Sequence, residues 1–204
     1  MGHFCARAAQ DKVSDCINRC LIARLVHVPV GQQSVYNGHK RGHGLKFQAV
    51  QTPDGLIAHL AGPYRGAAND TGMFGDSGFE AFIDAKMTQW HVRLMMYGDS
   101  GYLGPQVVFY RPYPDGCSDE ERMENLEMSR VRVEVEHAFA KVCNLWPYMM
   151  HYRQLKSLLQ PVGRFYQVAV LLTNAHTCVY ACQTSKYFNM APPPLEHYLD
   201  VEED

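Results

Sequence analysis

The sequence predicts a mixed α/β chain, and three observations carry that expectation. Three β-prone runs follow one another between residues 20 and 61, two of them joined by the turn Thr52-Pro53-Asp54-Gly55. Two capping-box patterns, Ser77 with Glu80 and Ser118 with Glu121, each precede a run of helix formers. Between those helices, residues 92–97 and 106–110 form short apolar runs next to glycine.

Residues 1–19 show no amphipathic period and are set apart from the domain expected over 20–199, with 200–204 as an acidic tail. Residues 20–28 are mostly aliphatic up to Pro29, as in a buried strand. Residues 31–41 make a polar connection. Residues 45–51 and 56–61 flank proline and Asp-Gly turn chemistry, so they pair as an antiparallel hairpin and complete a meander. A glycine-rich loop is expected over 62–76, then a helix from the Ser77 cap to about residue 90. The run 92–97 ends at Gly98-Asp99, which puts Asp99 at the carboxyl end of a central strand.

Ser118 opens a long helix. Within it, Val131-Arg132-Val133-Glu134-Val135-Glu136 alternates apolar and charged residues and by period alone is a strand. Helix formers before it and Ala138-Phe139-Ala140-Lys141 after it carry the helix through. Residues 165–182 are apolar but interrupted by Gln167, Thr173, Asn174, His176 and Thr177, which fits a buried helix and not a bilayer span. The resulting order, β-β-β-α-β-β-α with C-terminal helices, matches no doubly wound sheet; it is the order of an RNase H-like fold.

A formal net charge of -2 excludes a global basic surplus of the kind that holds DNA through counterion release. Nucleic-acid contact is therefore expected from a local patch, and His39, Lys40, Arg41, His43 and Lys46 form the densest one. The same cluster serves equally as a solvated hairpin rim. Seven cysteines, an odd number without a Cys-x-x-Cys pair or a secretory leader, fit free thiols in a reducing compartment. His176, Cys178 and Cys182 could ligate zinc from one helix, yet no fourth ligand is evident and buried thiols are common. Trp90 and Trp146 read as core residues.

Three carboxylates could carry chemistry: Asp70 after the third strand, Asp99 at the tip of the fourth and Glu136 on the later helix. Phosphodiester cleavage in such a fold uses paired divalent cations held by carboxylates from separate elements. Magnesium and manganese take such oxygen ligands. Each residue also has a plainer role, Asp70 in turn chemistry, Asp99 as a loop cap, and Glu134 and Glu136 as solvated partners of Arg130 and Arg132.

Several segments in fixed order add to this. Tyr36-Asn37-Gly38-His39-Lys40-Arg41, Gly44-Leu45-Lys46-Phe47-Gln48, Pro53-Asp54-Gly55-Leu56-Ile57 and Gly62-Pro63 resemble the hairpin of PIF/Harbinger-type DDE transposase-derived nucleases. Gly66-Ala67-Ala68-Asn69-Asp70 resembles that family's glycine-to-aspartate loop, Gly98-Asp99-Ser100-Gly101-Tyr102 its strand end, and Val135-Glu136 with Phe139 its glutamate helix. Segments from Tyr166-Gln167-Val168-Ala169 to Glu196-His197-Tyr198-Leu199 are also similar to family members. The resemblance implies that Asp70, Asp99 and Glu136 ligate Mg or Mn, that Arg132 orients Glu136, that DNA is the substrate and that the protein is nuclear or nucleocytoplasmic. One departure stands against it. Family members open with a strand ending in Asp-Gly-Thr, and the counterpart here is Cys20-Leu21-Ile22, so a thiol replaces the first acid. A neutral thiol is a poor ligand for a hard cation. The family's N-terminal helical DNA-binding module also has no expected counterpart. The chain is thus expected to be either a nuclease domain, impaired at one metal, or an inactive relict that binds DNA or protein.

Overall fold

The computed structural model describes residues 15–24, 36–37, 42–91, 95–98, 109–110, 113–150 and 160–200. Strand β1 (Asp15–Arg24) pairs antiparallel with β3 (Gly42–Gln51), and β3 pairs antiparallel with β4 (Ile57–Arg65). The two-residue β2 (Tyr36–Asn37) lies against the start of β3. On its other side β1 pairs in parallel with β5 (Met95–Gly98), which pairs in parallel with β6 (Phe109–Tyr110). The path across the sheet therefore runs β4-β3-β1-β5-β6.

The β3–β4 turn shows why its sequence bends. Asp54 Oδ1 accepts from Thr52 Oγ1 at 2.5 Å and from Leu56 N at 3.1 Å, while Gly55 N donates to Thr52 O at 2.9 Å. Gly55 takes φ +87, which a residue without Cβ adopts at no steric cost. Side chains then alternate along β3. Phe47 and Ala49 enter the main core beside Ile57, and Lys46, Gln48 and Val50 leave by the opposite face.

Two helices follow β4, α1 (Asp70–Asp76) and α2 (Phe79–Trp90). Here the sequence suggested a loop and then a helix capped by Ser77, and the structure corrects both. Asn69 caps α1 by accepting from Gly72 N at 2.6 Å, and Ser77 ends that helix, its N–H donating to Met73 O at 3.0 Å and its hydroxyl to Phe74 O at 2.7 Å. Gly78, at φ +67, makes the break before α2. Phe79 then packs tilted against His59 with ring centroids 4.5 Å apart, joining α2 to β4.

Helix α3 (Asp119–Leu145) has the capping box read from sequence: Glu121 N donates to Ser118 Oγ at 3.2 Å and Ser118 N to Glu121 Oε2 at 2.8 Å. The alternating stretch 131–136 lies inside this helix. A 3-10 turn (Pro147–Met150) follows, then α4 (Val162–Tyr180), α5 (Gln183–Tyr187) and α6 (Leu195–Leu199). Val135, Ala138, Phe139 and Val142 of α3 and Tyr166, Ala169 and Val170 of α4 close over Phe47 and Ala49. Trp146 packs at the rim and donates from Nε1 to Thr173 Oγ1 at 2.9 Å. Helix α4, expected to be buried, is so on one side only, since Val168, Leu171, Leu172, Val179 and Tyr180 are exposed. Gly163 lets α4 approach the sheet, because a Cβ there would lie 2.6 Å from Pro63 Cγ.

In chain order the elements read β-β-β-β-α-α-β-β-α before the C-terminal helices, so β2 and α1 stand where connections were expected. Strand β1 also begins at Asp15, inside the segment set apart by composition. Among the described residues no helix is long and apolar enough to cross a membrane.

Candidate functional site

Asp70 is the first residue of α1, reached from the end of β4 through Gly66 to Asn69. Its carboxylate meets Lys46, whose Nζ donates to Asp70 Oδ1 at 3.1 Å and to Ala68 O at 2.7 Å. The sequence grouped Lys46 with an exposed basic rim, but only 9% of it is exposed. The cause is strand alternation: Lys46 follows Leu45 and precedes Phe47, both packed on the α3–α4 side, so it turns to the other face and finds a carboxylate and a carbonyl there.

The two glutamates of α3 part company. Glu134 is 5% exposed and accepts from Thr184 Oγ1 at 2.8 Å, and Gln51 Nε2 donates to the same hydroxyl at 3.3 Å. His137 Nδ1 stands 3.5 Å from Glu134 Oε1. The Thr184 hydroxyl replaces part of the water that a buried carboxylate loses. Glu136, about 200° further round the helix, is exposed. Sequence reasoning gave Glu136 a metal-binding role and left Glu134 as a solvated charge. The signal it missed was the stripe 134, 135, 138, 139, 142, in which Glu134 occupies a core-facing position.

Asp99, His39, Lys40 and Arg41 lie outside the described residues, and of Arg132 only the backbone within α3 is described. Cys20 lies in β1 in register with Gln48. The parallel register of β1 and β5 sets Asn18 beside Gly98, the residue before Asp99 in the chain.

A cleft of about 490 Å³ opens between α3, the end of α4, α5 and the β3–β4 turn, lined among others by Gln51, His137, Lys141, His176, Cys182 and Thr184. Lys141 Nζ donates to Thr177 Oγ1 at 2.9 Å, and burial lowers its pKa while the nearby thiols of Cys182 and Cys178 oppose the shift. Burial and then the Lys141 charge lower the pKa of His176, and burial raises that of Cys178. Cys182 Sγ caps α5, accepting from Ser185 N at 3.5 Å. Among the described residues no three His, Cys, Asp or Glu side chains converge to hold a metal ion, which covers His176, Cys178 and Cys182 as a zinc set.

The carboxylates fit a hard cation unequally. Glu136 is exposed, and a carboxylate is a ligand type that a hard cation accepts. Asp70 Oδ1 is engaged by the Lys46 ammonium at 3.1 Å, on a side chain that is 30% exposed.

No curated protein and no solved structure matches this sequence. A family does: the profile described as DDE superfamily endonuclease aligns with residues 20–174, from Cys20 in β1 to Asn174 in α4. Every element built above between those limits lies within the aligned span, and because it takes in well over half of the sequence, the chain belongs to the DDE superfamily endonucleases.

Proposed function

We propose that the chain is an RNase H-like nuclease domain derived from a PIF/Harbinger-type transposase, whose reaction is divalent-metal-assisted cleavage of phosphodiester bonds in DNA. The observation that carries it is the family span together with the layout around β1. Strand β5 runs parallel to β1 and ends one residue before Asp99, and α3 lies across the same sheet with Glu136 exposed. Catalytic groups in such sheets gather at the carboxyl ends of parallel strands. Asp99 and Glu136 would hold Mg or Mn, with Arg132 one helical turn before Glu136 to orient it. The metal, when bound, polarises the scissile phosphate and lowers the pKa of the attacking water. His39, Lys40 and Arg41 would steer the DNA backbone toward the strand ends, and the place of action would be nuclear or nucleocytoplasmic.

Supercoiled plasmid with manganese tests this. The wild-type chain should nick it, and Asp99→Asn combined with Glu136→Gln should not; nicking that survives the double substitution removes the assignment.

A second reading has its own support. Cys20 stands in β1 at the point where the family alignment begins, and a thiol there weakens at least one cation site. The chain would then be a relict that binds DNA or protein without cutting. Cys20→Asp separates the two. A damaged nuclease gains manganese affinity in calorimetry, whereas a drifted remnant gains none.

A further inference from the structure

Asp70 and Lys46 entered as separate expectations, one a metal ligand and the other a phosphate contact, and the structure couples them. Lys46 Nζ lies 3.1 Å from Asp70 Oδ1 and 2.7 Å from Ala68 O, and the two side chains are only 11% and 30% exposed. One ammonium thus binds the loop that follows β4 at two points two residues apart. The partners come from β3 and the first turn of α1, 24 residues apart in sequence. Lys46 also projects from the face of β3 opposite Phe47, and Phe47 lies under α3, the helix of Glu136. A cation shared by Asp70 and Glu136 would have to be reached from both faces of the sheet. A divalent ion that took Asp70 Oδ1 would displace Lys46 and leave a largely buried ammonium without its carboxylate, which is strongly unfavourable.

We infer that Asp70 is the anionic partner of Lys46 and not a metal ligand, the pair acting as a clamp that fixes the entry of α1 on β3. Resting on the nuclease reading, this leaves the cation to Glu136 and Asp99. Lys46 is then a positioning residue. It shapes the loop beside the sheet without meeting DNA.

The test uses the whole chain and two independent readouts. Thermal unfolding in EDTA is measured for wild type, Lys46→Met, Asp70→Asn and the double variant, with Lys46→Arg as the charge-keeping control. Manganese binding is followed by electron paramagnetic resonance in wild type, Asp70→Asn, Asp99→Asn and Glu136→Gln. For a clamp, the double variant melts no lower than the worse single variant, and Lys46→Arg recovers most of the loss. Manganese affinity of Asp70→Asn stays within about twofold of wild type, the scatter of uncoupled sites. That of Glu136→Gln and of Asp99→Asn falls by about tenfold or more. The inference is overturned if the two melting losses simply add, or if Asp70→Asn weakens manganese as much as Glu136→Gln does. If the wild type takes up no manganese, the nuclease reading fails, and the unfolding cycle still decides the clamp.

Discussion

Gly55 joins two parts of the molecule through an atom it lacks. At φ +87, an added Cβ would collide with Cys182 Sγ, the atom that caps α5, so Gly55→Ala combines backbone strain with a displaced cap. The expected loss is about 1–3 kcal/mol, read as a lower urea midpoint at unchanged slope. Glu134 gives a second expectation. Glu134→Ala strands the Thr184 hydroxyl in a buried place and should cost about 1–3 kcal/mol, whereas Glu134→Gln keeps an acceptor and costs less. His59 supplies a pH dependence. Its ring packs tilted against Phe79, its Nδ1 is buried with no hydrogen-bond partner among the described residues, and burial lowers its pKa below 6.5. The unfolded chain then binds the proton more readily than the folded one, so this contribution is complete above pH 6.5 and is lost as pH falls through the lowered pKa. Replacing His59 with Phe should flatten that acid limb in melting curves between about pH 7.5 and 5.

At the scale of elements, identical sequence patterns had different outcomes. Ser118-Asp119-Glu120-Glu121 caps α3 as its residues suggest, and Ser118→Ala should cost about 1 kcal/mol. That corresponds to a fall in Tm of about 2–4 °C for a chain of this size. Ser77 with Glu80 carries the same pattern but forms no capping box: Ser77 ends α1, its Oγ accepts from Phe79 N at 3.1 Å, and Gly78 takes the N-cap position of α2. A capping box is local, but where a helix begins depends on what precedes it. The hairpin was legible because proline and Asp-Gly settle a turn without outside help. The start of β1 was not, since Asp15 and Cys16 are strand residues only through pairing with Met95 and Met96, a partner about eighty residues away. The candidate site divides in the same way. Glu136 could be proposed from its neighbours in sequence, while the partner of Asp70 comes from β3 and could not be read there. Glu134 was available to a helical wheel and was hidden by the strand-like alternation around it.

For the whole molecule, the sheet order has a temporal side. The antiparallel strands β1, β3 and β4 span residues 15–65 and can associate as soon as that stretch is made, but β5 lies 30 residues beyond β4. Until Met95–Gly98 emerges from the ribosome, β1 presents one bare edge of unpaired amides and carbonyls, a template for other chains. Its parallel closure is the slow, non-local kind. Nascent chains stalled near residue 90 should therefore be held by chaperones or aggregate, and those stalled well past residue 110 should not, as read by pelleting of ribosome-released product. The strand that borders the proposed cutting site is also one whose birth order leaves an edge uncovered until β5 is made.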